Sequence, residues 1–120
     1  TAPRGNRLLI WDLDNARRVV LVDEKTMGAE DITFAHCRFE ARTSVHKKHV
    51  HEHAEEVIYI LSGRGLSGVG DTEVEMGPGD TMFVPRGAVH WFSNPFAEPV
   101  EMLFAYTRPS LAEAGYRVVE

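Results

Sequence analysis

Disulfides are ruled out first, because the chain has a single cysteine, Cys37, which has no internal partner and points to a reducing compartment, the cytoplasm. Long apolar runs are missing as well. None approaches the roughly 18 residues that a membrane span requires. Residues 1–15 hold no long apolar stretch and no cleavage site, so no secretion signal is expected. Basic charge is in short supply. Thirteen Lys and Arg stand against 18 Asp and Glu, a net charge of −5 that disfavours nucleic acid as partner, since phosphate binding needs a cationic surface. Helical periodicity is nearly absent, and so are repeats, linkers and low-complexity segments. With 120 residues, 43% of them hydrophobic, one globular domain spanning 1–120 is expected.

What the chain does have is a period of two. Short β-rich runs fall at 18–22, 33–41, 56–61, 72–76, 81–84, 90–93 and 100–107. Between them lie the turn signals Ser62-Gly63, Gly70-Asp71, Gly77-Pro78-Gly79-Asp80 and Pro85-Arg86-Gly87. Many short strands broken by Gly and Pro describe an all-β sandwich or barrel. Only Ser110-Leu111-Ala112-Glu113, with capping-box spacing, predicts a short helical turn near the C-terminus. The segment Gly63-x-Gly65-x2-Gly68-x-Gly70 follows a strand but opens no helix, so hairpin turns explain it better than a phosphate cradle.

The stretch HKKHVHEHAEE, from His46 to Glu56, holds four of the six histidines. In a strand, residues two apart share a side, so His49 with His51, or His51 with His53, aims two imidazoles at one point. Glu56 lies an odd number of residues from each and would face away on a continuous strand. A reversal over Glu52-His53-Ala54-Glu55 removes the conflict, brings Glu56 beside His49 and His51, and turns His53 outward. The pair His51 and His53 leaves only Ala54 and Glu55 for a tighter reversal without Gly, Asn or Asp. His90 follows the Pro85-x-Gly87 turn and opens a strand whose alternate members are His90, Phe92 and Asn94. His46 and His36 are expected at the surface. Cys37 reads as a small core residue beside Ala35 and Phe39, with no basic neighbour on that face to lower its pKa.

At these residues the sequence resembles the cupin superfamily, in its small single-domain microbial form. Gly79-x5-Pro85-x-Gly87-x2-His90-x3-Asn94 matches the second cupin motif at every defined position. His49-x-His51-x4-Glu56-x6-Gly63 matches the first apart from its leading glycine, where this chain has Thr43. The resemblance implies a jelly-roll β-barrel holding one divalent transition metal (Fe, Mn, Ni, Cu, Co or Zn) through His49, His51, Glu56 and His90. Imidazole nitrogens with one carboxylate suit any of these ions. Three neutral histidines and one carboxylate leave about one positive charge on the ion, which favours an anionic, bidentate ligand.

Parity places Ile58 and Ile60 with Glu56, and Phe92 and Asn94 with His90, so the expected interior is apolar and aromatic. Met102, Phe104 and Tyr106 share a face of undetermined direction. No arginine is placed inside, so no carboxylate clamp is assigned. Val57, Tyr59 and Leu61 form an apolar outward face that needs a cover, and cupins are commonly dimers, so a homodimer is expected. A small-molecule substrate is implied, with neither nucleic acid nor membrane as partner. The leading expectation is an oxygenase-type enzyme acting on a small aromatic or enolic substrate. A redox-neutral isomerase, lyase or polyketide-type cyclase, with His53 or Tyr106 moving the proton, is the alternative. A non-catalytic ligand-binding barrel is the third.

Overall fold

The computed structural model describes residues 10–13 and 16–120. Its elements in chain order are β1 (Ile10–Leu13), β2 (Ala16–Val22), β3 (Thr33–Phe39), β4 (Thr43–Val50), β5 (Glu56–Ser62), β6 (Gly65–Val69), β7 (Thr72–Met76), β8 (Thr81–Val84), β9 (His90–Asn94), β10 (Val100–Tyr106), the helical turn α1 (Leu111–Ala114) and β11 (Arg117–Val118). They form two antiparallel sheets, ordered β1-β2-β3-β10-β5-β8 and β11-β4-β9-β6-β7. Consecutive strands cross repeatedly from one sheet to the other, the arrangement of a double-sheet jelly roll. Residues 1–9, over which no secretion signal was expected, lie outside the described residues.

Alternation builds the core. On β3 and β10 every second residue is buried, so Ala35, Cys37 and Phe39 meet Phe104, Met102 and Val100 in turn on the inner face. Phe39 from one sheet and Phe92 from the other touch at a ring-centroid distance of 5.0 Å and are both fully enclosed. Asn94 closes that end of the barrel. Its side-chain amide donates to the carbonyls of Glu40 (3.0 Å) and Glu98 (2.7 Å), and its oxygen accepts from Phe96 N–H at 3.1 Å. Thr43, which stands where the first motif has glycine, is buried opposite Asn94 in β4.

Two glycines are required by space or backbone. Gly63 has φ 77, and a Cβ there would collide with the Pro99 carbonyl. Gly68 in β6 lies under the Trp91 ring, so a side chain at that position has no room. The glycine content explains why β6 carries no strand signal of its own. The strands β1 and β11 were likewise unforeseen. The C-terminal turn is as expected, with the Ser110 hydroxyl accepting from Glu113 N–H at 3.0 Å. His36 departs from expectation: it is half-buried and contacts Glu101 at 2.9 Å, which also accepts from Arg38. The side chain of His46 lies outside the described residues. No helix among the described residues is long and apolar enough to cross a membrane.

Candidate metal centre

The strand β4 pairs with β9 so that His49 faces His90 directly, and their ring centroids lie 4.1 Å apart. His51 follows just beyond the end of β4, with its ring 5.0 Å from both. The chain then turns through Glu52 and His53 and enters β5 at Glu56. The expected reversal is present, but it is a crossing between sheets and not a hairpin, because β5 pairs with β10 and β8. Glu56 therefore reaches the three histidines from the opposite layer. All four side chains are buried.

The two motifs are also tied together through the backbone. Gly87, at φ 77, closes the Pro85–Gly87 turn and donates its N–H to the His51 carbonyl at 3.0 Å. Each imidazole is oriented by a main-chain acceptor. Nδ1 of His49 meets Lys47 O at 2.6 Å, Nδ1 of His51 meets Gly115 O at 2.6 Å, and Nδ1 of His90 meets Ala88 O at 3.0 Å. A carbonyl only accepts, so each Nδ1 carries the proton and each Nε2 presents a lone pair. Burial, followed by the charge of neighbouring His90, pushes His49 down to about 3. Burial also lowers His51, against the opposing pull of Glu56. Neutral imidazole is the form that ligates.

One ring nitrogen from each of His49, His51 and His90 lies within 4.8 Å of the others. Glu56 Oε1 sits 3.0 Å from His90 Nε2 and 3.5 Å from His51 Nε2. These three atoms are buried without a hydrogen bond. Donors about 2.0–2.2 Å from a common ion stand roughly 3 Å apart at right angles, so the spacing fits a transition metal. Orphaned buried polar atoms are otherwise costly, and a shared cation would satisfy all of them.

Tyr106 is the cross-strand partner of Glu56, and its ring meets that of His51 at a tilt, with centroids 4.7 Å apart. Burial, then the charge of Glu56, raises its phenol well above the ordinary value, so the hydroxyl stays protonated. His53 is exposed on the turn, its N–H donating to Ala114 O and its carbonyl accepting from Arg86. Sequence reasoning missed the C-terminal segment. Gly115 supplies the acceptor for His51, Tyr116 lies 4.9 Å from the His49 ring, and β11 pairs with β4 at Val50 and His49. A two-residue strand leaves no pattern to read.

It also missed Arg18. This side chain is 9% exposed, points inward from β2, and holds its guanidinium 5.0 Å over the Phe104 ring. The sequence alone placed no arginine inside, and Arg18 is one. Arg18 is also the cross-strand partner of Cys37, so that thiol has a basic neighbour after all. Desolvation outweighs it and pushes Cys37 up to about 11. Arg18, Val20, Ala35, Phe104 and Tyr106, with Ser110, Leu111 and Ala112 at α1, line a cavity of about 220 Å³.

Comparison with known proteins agrees with this architecture. The cupin domain model matches residues 35–106. An uncharacterized protein of Methanocaldococcus jannaschii is 35% identical over 63 residues, 52% of this chain and 48% of that protein. The chain spans about half, or less, of the length of the curated relatives it matches. Among solved structures, the polyketide cyclase RemF from Streptomyces resistomycificus superposes with a TM-score of 0.74 at 26% identity, over 89% of this chain and 72% of that one. A protein of Thermotoga maritima described as a predicted oxalate decarboxylase superposes with a TM-score of 0.76 at 23% identity, over 90% of this chain and 99% of that one. With the jelly roll, the histidine cluster and a family match over more than half its length, the chain belongs to the cupin family.

Proposed function

We propose that this chain is a metal-dependent enzyme acting on a small aromatic or enolic molecule, with one divalent transition ion held by His49, His51, Glu56 and His90. The convergence of three Nε2 lone pairs and a carboxylate on one buried point carries the reading. A bound ion supplies Lewis acidity there and, where it is redox-active, a route for electrons to O₂. The chain's own groups do the rest. Backbone carbonyls fix the imidazole tautomers, and Glu56 offsets part of the ion's charge. The enclosing apolar side chains limit water, and the protonated Tyr106 hydroxyl donates to a substrate oxygen. Tyr106 is thus an acid or anchor rather than a base, and His53 lies exposed on the turn.

An oxygenase-type reaction on a substrate that chelates the ion is the first form of this proposal. A redox-neutral reaction, such as an isomerisation, a lyase step or a ring closure, is the second, and the 26% identity to a polyketide cyclase favours it. Elemental analysis followed by turnover with and without O₂ separates them. Activity that survives anaerobically with Zn(II) removes the oxygenase form, and strict O₂ dependence removes the redox-neutral one. A pure protein that takes up no divalent ion sinks both, and a fully loaded protein inert to every substrate class leaves a non-catalytic ligand-binding barrel. We further propose a homodimer in a reducing cytoplasm, supported by the exposed Val57, Tyr59, Leu61 and Phe83 on β5 and β8 and by the buried free thiol of Cys37.

A further inference from the structure

We propose that Tyr116 is the outer wall of the substrate site, a specificity-determining ring on which the planar ring of a chelated substrate lies. The proposal narrows the substrate class of the metal-dependent reading and rests on that reading for the ion, though not for the stacking itself.

Register puts the ring there. The strand β11 pairs antiparallel with β4, with Val118 opposite His49 and Arg117 opposite Val50. One step further along, Tyr116 stands level with His51, and residues opposed across an antiparallel pair project to the same side. The tyrosine is thus aimed at the side of the two histidines, where its ring centroid lies 4.9 Å from that of His49 and 6.1 Å from that of His51. Exposure then separates the two phenols that meet the cluster. Tyr106 approaches from β10 and is buried, whereas Tyr116 is 54% exposed over imidazoles that are themselves buried. Tyr116 therefore reaches from the buried donors to solvent, with much of its surface open to a ligand.

The backbone is fixed on both sides of it. Gly115, at φ 82, accepts from His51 Nδ1 at 2.6 Å through its carbonyl, and Ala114 O accepts from His53 N–H at 2.9 Å. Beyond the tyrosine, Arg117 Nε donates to Glu52 at 2.7 Å and Val119 N–H donates to Lys48 O at 2.9 Å. A ring carried on an anchored backbone, with only two side-chain torsions, loses little freedom when a ligand settles on it. What it offers is a π-face, which favours a flat aromatic partner at a centroid distance of about 4.5–7 Å.

The test is a calorimetric titration of benzohydroxamate and of cyclohexanecarbohydroxamate, which share one bidentate head and differ in a flat or a saturated ring. Burial alone favours the bulkier saturated ring, so a preference for the flat one reports stacking. The Zn(II)-loaded wild type is expected to bind benzohydroxamate about two- to tenfold more tightly, as an aromatic pair contributes. Tyr116→Leu should abolish that preference at unchanged metal stoichiometry. Tyr116→Phe should keep it, and so should Tyr59→Leu on the outer face of the six-stranded sheet. Equal affinities in the loaded wild type overturn the proposal without recourse to any variant and leave the ion reading intact. Survival of the preference in Tyr116→Leu assigns it to another group and overturns the proposal as well. Loss in Tyr116→Phe assigns the effect to the hydroxyl and overturns the stacking. If the chain takes up no ion, the enzyme reading fails and the ion-free protein is titrated with the same pair. There a Tyr116-dependent preference still supports the wall, and equal affinities or no binding overturn it.

Discussion

Every imidazole in the cluster spends one nitrogen on a main-chain carbonyl and keeps the other for the centre. That division makes the variants unequal. His90→Ala and Glu56→Gln should cut metal content well below stoichiometry, whereas His53→Ala should retain about one ion per chain, as a single four-donor site requires. Emission spectrometry of the purified variants measures it, and normal content in His49→Ala with loss in His53→Ala would overturn the arrangement. Cys37 behaves differently, as a thiol whose proton is held by burial. Because the folded group sits near 11 and the ordinary value is 9.0, the unfolded chain loses its proton first as pH rises. Stability should therefore decline above about pH 9 and this contribution should level off past about pH 11. At pH 8, iodoacetamide should label native Cys37 about a hundredfold more slowly than the urea-unfolded chain, from thiolate fraction alone. His49, His51 and Glu56 could be grouped from strand parity plus one reversal, while His90 joined them only through the resemblance of its segment to the second cupin motif. Arg18 was not legible. Arg17 and Arg18 are adjacent, and only pairing with β3 determines which of them faces inward.

At the scale of elements, the reversals at Gly63, Gly79 and Gly87 could be read directly, since their backbones take positive φ. The strand β6 could not, because Gly65 and Gly68 are there to admit the Phe92 and Trp91 rings, a need set by β9 and not by local preference. The crossing from β4 to β5 was visible as a turn, but its passage between layers depends on which strands pair at long range. The shortest elements have a functional share. Gly115, at φ 82, directs its carbonyl to His51 Nδ1, and β11 then lies along His49 and Val50. A chain ending at Ala114 should fold with unchanged far-ultraviolet dichroism and lose about 10–100-fold in metal affinity, the usual effect of removing a partner that orients a ligand. Competition with a chromophoric chelator measures the change, and wild-type affinity in the shortened chain would show that the segment is dispensable.

For the whole molecule, the described residues leave part of the outer face of the six-stranded sheet exposed. Val57, Tyr59, Leu61 and Phe83 are each more than two-fifths exposed beside the edge strand β8, where unpaired backbone groups invite another strand. Sedimentation equilibrium is expected to give twice the 13.5 kDa chain mass. The double variant Tyr59→Glu with Phe83→Glu should give the single mass at unchanged metal content. A wild-type protein that stays at the single mass at high concentration would refute the dimer. The histidines and Glu56 come from different layers, which has a mechanical meaning. An ion held by the proposed ligands would be gripped from both sides and would rivet the two sheets at one rim, where the opposite rim is already stitched by Phe39, Phe92 and Asn94. Chelation should accordingly lower the melting temperature by linkage and speed amide exchange at the start of β5 and β9, while exchange around Asn94 stays slow. The barrel would then open like a clasp at one end only, giving substrate and ion a shared way in.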